Sequence, residues 1–221
     1  MPNPDLRYSL VVFDWDGTLI DSAQTIVECI QQSARDMGLP APEPERARHV
    51  IGLGLQDSLR IAVPDLRVQD YREFAALYRT HFLVREDAMA LFPGVRELID
   101  ELSAEGRRLA VATGKSRRGL DRALAASGLG ACFAASRCAD ETDPKPHPAM
   151  LLELMQELAV GAEAALMVGD TSHDLEMARS ARVDAVAVTY GAHPEASLRA
   201  LEPRACVASI DELRTWLRHH G

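Results

Sequence analysis

Asp14 and Asp16 stand one residue apart at the end of the apolar run Leu10-Val11-Val12-Phe13, and Gly17 and Thr18 follow at once. Val11, Val12 and Phe13 suit a buried strand, and Gly17 allows a sharp turn straight after it. Two like charges ~4 Å apart at an effective dielectric near 20 repel by about 4 kcal/mol. A cation, a shared proton or both must offset that cost, so the pair points to chemistry. An EF-hand loop fits poorly, because its ligand spacing breaks at Thr18 and the preceding segment reads as a strand.

Other polar residues fall at equivalent places. Leu109–Ala112 reads as a buried strand and is followed by Thr113, Gly114, Lys115 and Ser116. Ala164–Val168 reads as another and is followed by Gly169 and Asp170, with Asp174 one helical turn on. Lys145 lies in a proline-bounded turn, Asp143-Pro144-Lys145-Pro146. Only Lys115 and Lys145 are lysines among the 24 Lys and Arg residues. A compact ammonium suits a crowded pocket where a guanidinium would not fit. Clustered carboxylates suit Mg²⁺, a hard cation that takes oxygen ligands. A hydroxyl and backbone N–H groups at helix starts suit phosphate oxygens.

The elements that must position these groups alternate. Strands are expected at residues 10–13, 109–112, near Cys132–Ser136, at 164–168 and at 185–188. Helices are expected at 95–102, 120–127, 149–158, 175–181 and 210–218. Such alternation implies an α/β fold, with a parallel sheet flanked by helices and a ligand site beyond the carboxyl ends of its strands. Residues 20–88 read as purely helical, with helices at Ser22–Met37 and Val68–Val84 and a glycine-interrupted segment, Ile51-Gly52-Leu53-Gly54-Leu55, between them. They form an expected inserted cap domain, leaving 1–19 and 89–221 as the Rossmann-like core.

A net charge of −9 disfavours a nucleic-acid or anionic-membrane partner. No apolar run approaches the roughly 20 residues of a membrane span, and Met1–Leu10 lacks the pattern of a secretory signal. The cysteines Cys29, Cys132, Cys138 and Cys206 form no CxxC pair, which fits a reducing compartment without a zinc site. The expected location is cytoplasmic.

Four motifs occur in order: DWDGT at 14–18, ATGKS at 112–116, DPKPHP at 143–148 and VGDTSHD at 168–174. With them the chain resembles, over nearly its whole length, a haloacid dehalogenase superfamily phosphatase with a helical cap. The layout is similar to phosphoglycolate phosphatases. The resemblance implies that Asp14 is the nucleophile and forms an aspartyl-phosphate. Asp16 protonates the leaving oxygen and then deprotonates the hydrolytic water. Thr113 and the backbone N–H groups of Trp15, Asp16 and Gly114 hold phosphate, and Lys145 neutralises charge. Mg²⁺ is held by Asp14, the Asp16 carbonyl and Asp170, with Asp174 as a direct or an outer ligand.

The implied substrate is a small phosphorylated metabolite, such as a phosphoglycolate-like monoester, taken by a monomer or homodimer. Dehalogenation is disfavoured because dehalogenases lack the second aspartate. Phosphonate cleavage is disfavoured because residues 20–88 hold no lysine for a Schiff base. A sugar-phosphate mutase and a non-catalytic phospho-acceptor signalling domain remain as alternatives. Thr113 could instead be a helix N-cap. Lys115 reads as a solvent-exposed residue at the mouth of the site. His147, His173 and His193 read as loop residues, and Tyr71, Phe74 and Tyr78 as cap core. His49 and the Gly52-Leu53-Gly54 loop are expected in a cap segment that closes over the site.

Overall fold

A computed structural model describes residues 6–86 and 89–221. The first five residues and the expected cap boundary at residue 88 lie outside the described residues. Six strands form one parallel sheet: β1 (Leu10–Phe13), β2 (Arg108–Thr113), β3 (Ala135–Cys138), β4 (Ala165–Gly169), β5 (Asp184–Val188) and β6 (Ala205–Val207). Their order is β3-β2-β1-β4-β5-β6. Strand β1 is central, with Phe13 aligned to Val111 on β2 and to Val168 on β4. The chain reverses its winding at β1, so the crevice beyond its carboxyl end is where this topology binds ligands.

Both sheet faces are covered. Along β1, Val11 and Phe13 join one buried cluster, while Leu10 and Val12 join another. This is the period-two alternation of a strand buried on both sides. Helices α5 (Val95–Ala104), α6 (Arg117–Ser127) and α10 (Ile210–His220) cover the first face through Leu98, Leu120 and Leu213. Helices α7 (Ala149–Glu157), α8 (Ser172–Ala181) and α9 (Glu195–Arg199) cover the second through Leu151, Leu175 and Leu198. Each such side chain contributes about 1.5–3 kcal/mol of burial.

Between β1 and β2 the chain forms α1 (Ala23–Asp36), α2 (Pro44–His49), α3 (Leu55–Ala62) and α4 (Tyr71–Glu86). Ile26, Ile30 and Ala34 repeat at helical spacing and pack with Leu59, Phe74 and Phe82 in a third buried cluster. The expected helix at Val68–Val84 is instead a 3₁₀ turn at Val68–Asp70 followed by α4. The strand expected near Cys132 lies three residues later, because Gly130–Cys132 is a 3₁₀ turn. Helix α9 and strand β6 were not expected from the sequence. Among the described residues no helix is long and apolar enough to cross a membrane.

Candidate active site

Four chain-distant segments converge beyond β1, β2 and β4. Asp14 follows β1 directly and is fully buried. Gly17 turns the chain at φ 79°, and a Cβ there would collide with the Asp170 carboxylate. Glycine therefore serves both the turn and the close approach of the two loops. Asp170 follows β4 and is held from two sides: Thr18 Oγ1 donates to its Oδ1 at 2.8 Å, and the Ala192 N–H to its Oδ2 at 2.6 Å. Asp174 sits in the first turn of α8, where a capping box joins it to Thr171. The expectation left it as a structural carboxylate or a ligand, and in the structure both of its oxygens meet protein partners. Oδ2 accepts from Thr171 Oγ1 at 2.7 Å, while Oδ1 lies 2.6 Å from Lys145 Nζ.

Lys145 Nζ also lies 2.8 Å from Asp14 Oδ1. All three side chains are almost wholly buried. Burial pushes the Asp14 carboxyl up to about 7, Lys145 opposes the rise and Asp174 adds to it. Burial, with Asp14 and Asp174 nearby, raises Asp170 well above the usual carboxylate range. Burial alone would lower Lys145, yet facing Asp14 and Asp174 holds its ammonium above the usual lysine range. One ammonium thus faces a cluster of three carboxylates whose oxygens lie within 4.8 Å of one another.

The donor set fits a hard divalent cation. The three carboxylates offer oxygen only, and one lysine leaves them negative in excess. Asp14 Oδ2 is buried and accepts no hydrogen bond among the described residues. A buried carboxylate oxygen without a partner is costly, and a cation would satisfy it. The Asp16 side chain is not part of this cluster.

Asp16 instead points toward the helical insert. Ser22 Oγ donates to its Oδ1 at 2.8 Å, and Lys115 Nζ lies 3.0 Å from both of its oxygens. Lys115 is therefore not the exposed residue expected from the sequence. Its side chain is 10% exposed, and its ammonium sits 4.7 Å from the Phe82 ring centroid. The scarcity of lysine was the one signal that could have placed it. Thr113, the last residue of β2, is buried, and the N-cap of α6 is Ser116 rather than Thr113. Thr113 Oγ1 accepts from the Lys115 N–H at 3.2 Å. Trp15 packs edge-on to Phe133 in the core, 6.3 Å between centroids, so its side chain faces away from the pocket.

Above these groups lies a cavity of about 250 Å³ with Asp14, Asp16, Thr113 and Gly114 on one side. The Gly52-Leu53 loop covers it. A Cβ on Gly114 would come within 2.6 Å of the Gly52 carbonyl oxygen. Phe74 and Tyr78 line the cavity, whereas Tyr71 does not. His147 is exposed beside Asp143. His173 and His193 are buried and meet His49 from α2: Nε2 of each bonds the His49 carbonyl, at 2.8 and 3.1 Å. They therefore tie the helical insert to the first turn of α8 and to the loop after β5 rather than lining the cavity.

With this geometry in view, the chain matches the haloacid dehalogenase-like hydrolase family model over residues 11–188. It is 38% identical over 92% of its length to Probable phosphatase IndB of Dickeya dadantii, covering 91% of that protein. It is 31% identical over 94% of its length to a phosphoglycolate phosphatase of Pseudomonas putida, covering 78% of that protein. Its fold matches the crystal structure of a hydrolase from Pseudomonas syringae with a TM-score of 0.87 at 20% identity, over 95% of this chain and 97% of that one. The chain belongs to the haloacid dehalogenase-like hydrolase family.

Proposed function

We propose that this protein is a Mg²⁺-dependent phosphatase that hydrolyses a small organic phosphate monoester through an aspartyl-phosphate. One observation carries the reading: Asp14 Oδ2 is a buried carboxylate oxygen without a hydrogen-bond partner, at a strand end, next to Lys145 and two further carboxylates. A carboxylate so placed has an oxygen that no protein donor occupies, open to a metal or to the reacting phosphorus. Asp14, Asp170, Asp174 and the Asp16 carbonyl are the groups that would hold the metal. When bound, the metal would neutralise the phosphate and the carboxylate it faces.

Each residue then has a defined task. Lys145 holds Asp14 ionised and in place, and offsets charge developing on the phosphoryl group. Asp14 attacks phosphorus, and the bond from phosphorus to the ester oxygen breaks. Asp16 gives its proton to the departing oxygen, releasing the alcohol. Asp16, now ionised, takes a proton from water. That water attacks phosphorus, phosphate leaves, and the Asp14 carboxylate is regenerated. Thr113 and the N–H groups of Trp15, Asp16 and Gly114 hold the phosphate oxygens throughout. Residues 20–88 act as a cap over a core of 1–19 and 89–221, and exclude bulk water when closed.

Phosphate release from a panel of esters, with Mg²⁺ and with EDTA, tests the reading. Turnover that needs the metal and vanishes in Asp14→Asn supports it. A folded enzyme that releases phosphate from no ester sinks it. Phosphoglycolate is the reference ester, given the activity named for the Pseudomonas putida relative.

A further inference from the structure

The cavity above Asp14 and Asp16 lies between the core and the hydrophobic cluster of the insert. Its walls include Ile26 and Ile30 of α1, Leu59 and Ala62 of α3, and Phe74 and Tyr78 of α4. All but Tyr78 are buried members of that cluster. A packed core leaves few voids larger than a water molecule, because wall atoms facing empty space lose their dispersion contacts. Here the void measures about 250 Å³ and opens onto the two aspartates. An apolar cavity of about 150 Å³ takes benzene, so this one has room for a ring and the carbon that links it to phosphate.

The charges point the same way. Among the described residues the cavity is bordered by three cations: Lys115, Arg122 and Arg79. Lys115 is committed to Asp16, and Arg122 Nε lies 3.3 Å from Glu86 Oε2. Arg79 borders the cavity from α4 and is exposed to solvent rather than buried. A carboxylate on the leaving group, as in 2-phosphoglycolate, would enter apolar walls with no uncommitted buried cation to meet it, at a high desolvation cost. An uncharged, carbon-rich leaving group would restore the missing contacts.

We propose that the preferred substrate is a phosphate monoester whose alcohol half is uncharged and ring-sized, of the arylmethyl class, seated between α1, α3 and α4. This rests on the phosphatase reading above. The test compares kcat/KM for benzyl phosphate and 2-phosphoglycolate, with acetyl phosphate as a ringless acyl phosphate that tests phosphoryl transfer alone. The wild-type enzyme is expected to favour benzyl phosphate by at least about tenfold, the scale on which apolar pockets discriminate. Ala62→Phe, which fills the void, is expected to lower that ratio at least about tenfold. Should this variant fold poorly, product inhibition of the wild type serves instead: benzyl alcohol competes with substrate and glycolate does not. Turnover of acetyl phosphate with 2-phosphoglycolate preferred, or equal inhibition by the two alcohols, overturns the inference and leaves the phosphatase reading standing. Turnover of none of the three phosphates removes the reading and the inference together.

Discussion

Lys115 Nζ stands 3.0 Å from each oxygen of Asp16, and Ser22 Oγ holds one of those oxygens from the helical insert. The residue proposed to move protons is thus separated from Asp14 by partners of its own. Its task is to protonate the departing oxygen, so its removal should cost most where that oxygen leaves poorly. Asp16→Asn is expected to slow an alkyl phosphate by about 10²–10⁴-fold and p-nitrophenyl phosphate by much less. Steady-state rates on the two esters check this. Equal losses would mean that Asp16 only shapes the site.

Proton and metal compete for the carboxylates around Asp14. Burial raises Asp14 to about 7 and Asp170 above its usual range, so the metal-free cluster binds protons near neutrality. Metal binding must expel those protons. Apparent Mg²⁺ affinity is therefore expected to rise between pH 6 and 8, by up to about tenfold per pH unit for each proton released. Calorimetric titration in two buffers of different ionisation enthalpy counts the protons. A pH-independent affinity with no proton release would contradict the arrangement.

The same cluster sets opposite signs for two substitutions. Lys145→Met leaves Asp14 and Asp174 buried without their cation, and breaking a buried pair in this way costs about 3–5 kcal/mol. Asp170→Asn removes one of three crowded carboxylates and leaves Lys145 paired. Without metal, Lys145→Met is expected to melt well below the wild type, and Asp170→Asn at or above it. Added Mg²⁺ should raise the wild-type melting temperature and not that of Asp170→Asn. Thermal denaturation with EDTA or Mg²⁺ decides the point.

What the sequence reveals of this site follows chain geometry. Asp14 and Asp170 each follow a short apolar strand directly and Thr113 ends one, so the α/β pattern alone places them at one sheet edge. Lys115 could not be placed in that way. Its burial depends on Phe82, 33 positions earlier in the chain, and on Asp16, 99 positions earlier. The His49, His173 and His193 cluster is hidden for the same reason, since its contacts span 124 and 144 positions. Strand β6 is only Ala205-Cys206-Val207, too short for an alternation to show. Its pairing with Val186–Val188 defines it instead.

Gly114 marks where insert and core touch most closely. A Cβ there would sit 2.6 Å from the Gly52 carbonyl oxygen and 2.9 Å from that of Leu53. The clash is with backbone, which cannot rotate away. Gly114→Ala is expected to hold the Gly52-Leu53 loop off the site, lowering kcat/KM by about 10²-fold, the cost of a misplacement near 1 Å. Its melting temperature should change little, because the sheet and both core clusters are untouched. Parallel kinetics and thermal denaturation separate this outcome from general unfolding.

His193 ties that closure to pH. The Ser172 N–H donates to His193 Nδ1 at 3.0 Å, which leaves Nε2–H to donate to the His49 carbonyl. Both bonds require the neutral ring. Burial, helped by the neighbouring His173, lowers His193 to about 4. The unfolded chain takes up this proton near pH 6.5, and the folded chain only near 4. Stability is therefore complete above pH 6.5 and falls as pH drops toward 4. By pH 5 the loss is about 2 kcal/mol, or roughly 4–8 °C in melting temperature for a chain of this size. His193→Asn should melt lower than the wild type at pH 7 but lose less on going to pH 5. Thermal denaturation of both proteins at the two pH values measures the difference. Parallel losses would show that the acid sensitivity arises elsewhere.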